Sequence, residues 1–517
     1  MRNMRKVLGI SLAAAMAAGV MTVPAAAETL TFGCQNYSAG HVDPAVEINT
    51  AWNCMRFGIG QCLFKFNDAM EVEPWLADDC EISEDHKTWT IHIREGVKFS
   101  DGCELTPSAV CASFDRLFEA AEGQSSSPSK YLEKEATWTA DDEAGTVTIQ
   151  TVTAYPDLRK NLAYPVMEIL DVEHTEDYET QPIGTGPYKT VSFTEEMGYT
   201  MEKNENYWDG EVPYDNVEIM FMGDASAKAM ALQSGQVDLV ENITTISDLQ
   251  NLEADPNYTV TIANGVRCGF AYINRNGILA NDDLRKAVLM GVDNETMCNI
   301  TVGGLYTYGY SVLPSNLAYN YDQLTNPYPY NPEEAAKILD DAGIVDTDGD
   351  GIRELDGENI NLRFITYENR CLSTFAEGTQ QLLAEIGIGV EVATMDSDSE
   401  WNEMVNGNYD LCSSNWTTVG TGDPTEYLDN WNGQSDANYC GYQNDEYDEL
   451  YAQLKSELDD AKRTEIITRL QQILIDDGAA LVHGYYNSSM ISSPAVEGAQ
   501  IHTADYYWLT TEIHPAA

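Results

Sequence analysis

Few residues in this 517-residue chain stand at spacings that bond-making chemistry requires. There is no Gly-x-Ser-x-Gly, no His-Glu-x-x-His and no Gly-Lys pair, so nucleophile-elbow, zincin and phosphate-loop signatures are missing. Gly184–Lys189, GTGPYK, is Gly-rich but lacks phosphate-loop spacing and reads as a tight turn. Asp346–Gly351, DTDGDG, puts Asp346, Asp348 and Asp350 at positions 1, 3 and 5 of an EF-hand-like loop, with Gly351 at position 6. Position 12 is Gly357, where a bidentate Glu is needed, so a surface turn competes with a structural calcium ion. The eleven cysteines include no Cys-x-x-Cys and no zinc-site spacing, and they read as small buried hydrophobes. Paired acids such as Asp78-Asp79 are too common in a chain with 84 acidic residues to suggest acid–base work. The sequence therefore predicts no catalytic residues, no protein-held metal at a functional site and no cofactor. What remains is recognition.

The elements that must position any recognition site are legible locally. In Pro74–Arg116, Trp89, Ile91 and Ile93 alternate with Thr90, His92 and Arg94, the period of a strand with one buried face. Ser100-Asp101-Gly102 is turn chemistry. Thr106 then caps a helix that has Pro107 at its first position and runs through Phe114. Pro332 opens a second helix, in which Ala335, Ile338, Leu339 and Ala342 share one face and Gly343 closes the end. Helical spacing recurs in Tyr447, Leu450, Tyr451, Leu454 and Leu458, and again in Ile466, Ile467, Leu470, Ile473 and Leu474. Short strands and amphipathic helices alternate throughout, which predicts an α/β fold. No fixed-period repeat or low-complexity linker interrupts them, and Glu122–Ser129 reads as a surface loop.

Arg2, Arg5 and Lys6 precede an apolar run, Val7–Val23, and Ala25-Ala26-Ala27 supplies small residues before Glu28. This predicts a cleaved secretory signal over residues 1–27 and a mature protein outside the cytoplasmic membrane. Cys34 follows Thr31-Phe32-Gly33, a poor lipobox, and lies in a predicted first strand, so the unlipidated form is favoured. The net charge of −56 repels nucleic acid and anionic lipid and favours a soluble chain.

In order and wording, Pro74–Arg116 resembles the hallmark segment of solute-binding proteins that feed ABC importers, in the peptide- and nickel-binding group. Ile183–Lys189 (IGTGPYK), Lys203–Trp208 (KNENYW), Ala231–Asp238 (ALQSGQVD), Asp283–Asp293 (DLRKAVLMGVD), Tyr330–Gly343 and Gln381–Gly387 (QLLAEIG) resemble further family motifs, in register. The resemblance implies a periplasmic-binding-protein-like fold: two α/β lobes, a two-strand hinge and an inserted subdomain in the first lobe. The expected layout is lobe I at 28–58, 181–266 and 488–517, the insert at 59–180, and lobe II at 267–487. Hinge strands are expected near Gly265–Ala271 and Val482–Asn487. It further implies a monomer that captures a peptide, or alternatively nickel or another metal in a small chelator, and hands it to a membrane permease.

The resemblance also nominates the cleft residues. Arg370, after the strand LRFITY, lies where peptide-binding relatives hold a ligand carboxylate, which a guanidinium can grip through two hydrogen bonds. A surface ion pair is the competing role. Leu411–Tyr427 resembles the ligand-facing loop and brings Trp416, Thr417 and Asp423. Dipeptide-binding relatives carry an aspartate soon after the Trp for the peptide's amino terminus, whereas Thr417–Thr421 contains no acid. Asp423, followed by Pro424, suits a turn or helix cap better than a ligand anchor. Tyr37 and His41, in the loop after the first strand, are the remaining expected contacts.

Overall fold

The computed structural model describes residues 28–123 and 128–517. The signal read at 1–27 and part of the loop read at Glu122–Ser129 lie outside the described residues. The alternation around Trp89 becomes the strand Thr88–Ile93, with Trp89, Ile91 and Ile93 buried. It lies inside a four-stranded antiparallel sheet, ordered Ala77–Ile82, Thr88–Ile93, Thr146–Gln150 and Thr137–Asp141. The Thr106 hydroxyl oxygen accepts the Ala109 N–H at 3.2 Å, and the helix runs Pro107–Ala120. It continues past Phe114 because Leu117 extends the buried stripe begun by Val110 and Phe114.

The main sheet carries eleven strands among the described residues. On one side Thr29–Cys34 pairs in parallel with Asn216–Phe221, and Gly198–Lys203 and Tyr188–Thr194 continue the sheet to its edge. On the other, Asn361–Tyr367 pairs in parallel with both Gly389–Met395 and Leu411–Thr417. Two long strands join the halves, Thr259–Ile273 and Ala480–Ser492. Thr259–Ala263 pairs with Ser488–Ser492 beside the first half, whereas Arg267–Tyr272 pairs with Ala480–Tyr486 beside the second. Between them the register shifts, and Gly265 sits in that irregularity. A Cβ on Gly265 would lie 2.0 Å from the Tyr486 carbonyl oxygen, so the close approach needs glycine.

Other local expectations meet tertiary context. The helix Pro332–Asp341 is capped by the Asn331 side chain, which accepts the Glu334 N–H, and buries Ala335 and Leu339. Ala342 is exposed, because the helix has ended one residue earlier. Likewise Asp445–Leu454 buries Tyr447, Tyr451 and Leu454, but Leu458 falls beyond its end. Asp460–Asp476 buries Ile467, Leu470, Ile473 and Leu474 as its spacing requires. Cys34 ends the first strand, fully buried, and all eleven cysteines are free thiols. No helix among the described residues is long and apolar enough to cross a membrane.

Candidate functional site

Where the crossing strands leave the register shift, three residues stand side by side across the sheet: Tyr486, Arg267 and Thr417. Two cavities adjoin this row. The larger, of about 300 Å³, is lined by Tyr37, Lys228, Asn242, Arg370, Ser373 and Tyr486. The smaller, of about 150 Å³, is lined by Trp52, Arg267, Trp416, Thr417, Asp423 and Glu426 among others. The larger is bounded by the segments that follow Thr29–Cys34 and Asn361–Tyr367, and the smaller by the helix Ile48–Arg56 and the strand Leu411–Thr417, so each opens between the two halves. A bigger void of about 630 Å³ is lined by Lys65, Trp75, His502 and Tyr507 among others. It does not touch the crossing strands.

Arg370 follows the strand Asn361–Tyr367 and precedes the helix Leu372–Ala384. It and Cys371 both adopt left-handed backbone, with φ of 46° and 58°. Such conformations cost non-glycine residues about 1 kcal/mol or more and persist where surroundings impose them. Here the Tyr306 hydroxyl donates to the Arg370 carbonyl at 2.8 Å, holding the turn. The Arg370 guanidinium lies 5.6 Å from the centre of the Tyr486 ring.

The charges of the cleft divide into two sets. Arg56 donates to Asp505 at 2.9 Å and to its carbonyl at 2.7 Å, and it is packed against the rings of Trp52 and Trp508. Lys228 donates to the Glu241 carboxylate at 2.7 Å, and both are buried. Those cations are matched. Arg267 and Arg370 form no ion pair among the described residues. Arg267 is 7% exposed, its Nε finds no acceptor, and its one hydrogen bond is a long 3.4 Å contact to Asn415. Burial, and then the nearby positive charge of Arg370, pull its pKa down to about 10. It stays charged at neutral pH at a desolvation cost that no carboxylate among the described residues offsets by pairing with it. The Thr417 hydroxyl, beside Arg267 in the ladder, is also buried without a partner.

The expected contacts therefore separate. Tyr37 and Arg370 line the larger cavity, and Trp416 and Thr417 the smaller. Trp416 packs against Tyr427 with ring centres 6.1 Å apart. Asp423 also lines the smaller cavity, but Arg463 donates to one of its oxygens at 2.6 Å and the Thr425 N–H and hydroxyl to the other. Burial raises its pKa, yet Arg463 and Thr425 outweigh this and hold the carboxyl below its usual range. His41 lines neither cavity; its ring lies 3.6 Å from Glu179 and beside Phe193. Arg267, Trp52 and Glu426 also line the smaller cavity and were not among the expected contacts. An arginine inside the otherwise apolar run VRCGFAYI was the available signal for the first. Asp346 spends both oxygens on the N–H groups of Gly349 and Gly351, and the acid that joins it and Asp348 is Glu354.

Two α/β lobes, paired crossing strands and a polar crevice between them define a clamp-type binding protein. Residues 71–439 match the bacterial extracellular solute-binding proteins of family 5, and the chain belongs to that family. It is 26% identical over 499 residues to the Di/tripeptide-binding protein 1 of Pseudomonas aeruginosa, covering 89% of each chain. It is 25% identical over 460 residues to the oligopeptide-binding protein AppA of Bacillus subtilis, covering 85% of this chain and 83% of that one. Among solved structures, NikA from Brucella suis in complex with Fe(III)-EDTA superposes with a TM-score of 0.85 at 20% identity. That match covers 94% of this chain and 99% of the other.

Proposed function

We propose that this protein captures a short peptide between its lobes and delivers it unchanged to the permease of an ABC importer. The observation that carries the reading is the pair Arg267 and Arg370, two cleft guanidiniums without carboxylate partners in a chain of net charge −56. Acids were abundantly available to pair them, so their freedom fits a ligand that supplies the carboxylate. Arg370 grips the terminal carboxylate through two N–H groups, a geometry that lysine cannot reproduce. Glu426, lining the smaller cavity, is the acid available there for the peptide's ammonium, since Asp423 is already engaged. Trp416 and Tyr37 cover the ligand, and lobe closure about the crossing strands presents the loaded form to the permease. A cavity of about 300 Å³ is at the small end of the ~300–1,000 Å³ typical of ligand sites, which suits a short peptide.

A second reading keeps the clamp and exchanges the cargo for a metal ion wrapped in a polycarboxylate chelator. It is favoured by the absence of an acid in Thr417–Thr421 and by two guanidiniums that suit several carboxylates. Under both readings the protein works as an exported monomer with lobe boundaries near 28–58, 59–180, 181–266, 267–487 and 488–517. Native mass spectrometry of the protein purified without denaturation separates them. A ladder of peptide masses supports the first, a metal-bearing adduct supports the second, and turnover of added peptides would sink both.

A further inference from the structure

Outside the cleft, four side chains with metal-binding atoms converge: Asp101, Cys103, Asp171 and His174. We propose that they form a site for a divalent, zinc-like transition-metal ion. The donor set is one thiolate, one imidazole and two carboxylate oxygens, the mixture that zinc-type ions accept in four-coordinate sites. The ligand atoms all lie within 4.8 Å of one another. His174 Nδ1 is 2.9 Å from Asp171 Oδ2, 3.5 Å from Asp101 Oδ2 and 3.7 Å from Cys103 Sγ. A tetrahedral ion with ordinary bond lengths spaces its ligands roughly 3.3–3.8 Å apart, so small rotations complete the shell.

The surroundings hold these atoms in place. Asp101 Oδ1 accepts the Cys103 N–H at 2.9 Å, leaving Oδ2 toward the cluster. Asp171 Oδ1 accepts the Glu173 and His174 N–H groups, and again Oδ2 faces the cluster. Backbone donors of this kind orient ligating carboxylates in metal sites. Both arms hang from one short segment: the Ser100 N–H donates to the Gly184 carbonyl and the Asp171 N–H to the Ile183 carbonyl, each at 2.9 Å. No lysine or arginine pairs with either carboxylate among the described residues. A divalent ion would offset most of the ligands' negative charge and clip the turn at Asp101–Cys103 to the loop at Asp171–His174.

The test uses the intact protein, freed of metal with a chelator and titrated with Co²⁺ and then Zn²⁺. One equivalent of Co²⁺ should produce a thiolate-to-metal charge-transfer band that Zn²⁺ displaces, and Zn²⁺ should slow alkylation of Cys103. C103S should abolish the band, and H174A should weaken binding by about tenfold or more. R370A, which alters the cleft, should leave both unchanged, so failure of the peptide or chelate reading is scored separately. Absence of the band, its survival in C103S, or its loss in R370A would each overturn the site. The thermal midpoints of apo C103S and apo wild type, measured together, show that the variant is folded.

Discussion

The guanidinium of Arg370 rests 5.6 Å from the ring of Tyr486, the residue that faces Arg267 across the crossing strands. A residue from the second half's helix turn thus meets the hinge ladder at the point where the other unpaired guanidinium emerges. The two like charges lie close enough that Arg370 helps depress the Arg267 pKa. In the empty cleft that is a cost; with an anion between them it becomes attraction.

Replacing either arginine should therefore separate binding from stability. Arg370→Ala is expected to weaken the co-purifying ligand by about 30-fold or more, the usual penalty for truncating one member of a buried charge pair. Arg267→Ala should weaken it too, while leaving the ligand-free protein at least as stable, because burial and repulsion are both relieved. Titration calorimetry with paired thermal melts reads the two effects. Affinities within twofold of wild type for both variants would place the ligand elsewhere.

Gly265→Ala puts a methyl group 2.0 Å from the Tyr486 carbonyl oxygen, in the register shift of the crossing pair. Backbone must move to admit it, at a cost of about 1–3 kcal/mol. The denaturant midpoint should fall accordingly. An unchanged midpoint would mean that the strands do not approach so closely.

The buried pair Lys228–Glu241 offers a contrast between breaking and replacing. Lys228→Met alone strands Glu241, which is fully buried, and should cost about 3–5 kcal/mol. The double variant Lys228→Met with Glu241→Leu should recover most of that loss in urea unfolding. A double variant no better than the single would show that the lysine's bonds to the Glu241 and Asn242 carbonyls matter more than the charge pair.

Glu400 supplies a pH dependence. It is buried against the Cys412 thiol, and burial pushes its carboxyl up from 4.5 to about 7. Between those values the folded protein keeps a proton that the unfolded chain releases. This contribution to stability is therefore complete below pH 4.5, falls as pH rises through the window and levels off above about 7. Glu400→Gln removes that slope. Wild type and variant should diverge in the variant's favour by on the order of 2–3 kcal/mol between pH 4.5 and 7.5. Parallel stability profiles across that range would show that Glu400 is ionised in the folded state.

Local pattern carried far in this chain. Alternation at Trp89–Ile93, the Thr106-Pro107 cap and the stripe through Ile467 and Leu474 depend on neighbours a few residues away, and each stands where its spacing predicts. Ends were less legible, as Leu458 and Ala342 show, because a helix stops where its packing partners stop. Of the expected cleft contacts, Tyr37, Arg370, Trp416, Thr417 and Asp423 line the cavities, Asp423 with its carboxylate engaged by Arg463, whereas His41 lies outside them beside Glu179 and Phe193.

By itself the sequence determined the α/β class, the turns and caps, the acidity of the surface and the absence of catalytic motifs, all of which are properties of short windows or of sums. Only the tertiary structure decided which charges have partners. Asp423 lost its freedom to Arg463, forty residues later, while Arg267 kept its own. Cys103 and His174, seventy-one residues apart and unremarkable in spacing, were brought within 3.7 Å by two arms hung from Ile183 and Gly184. Pairing depends on distance in space, and that distance is set by long-range strand register rather than by any local pattern of residues.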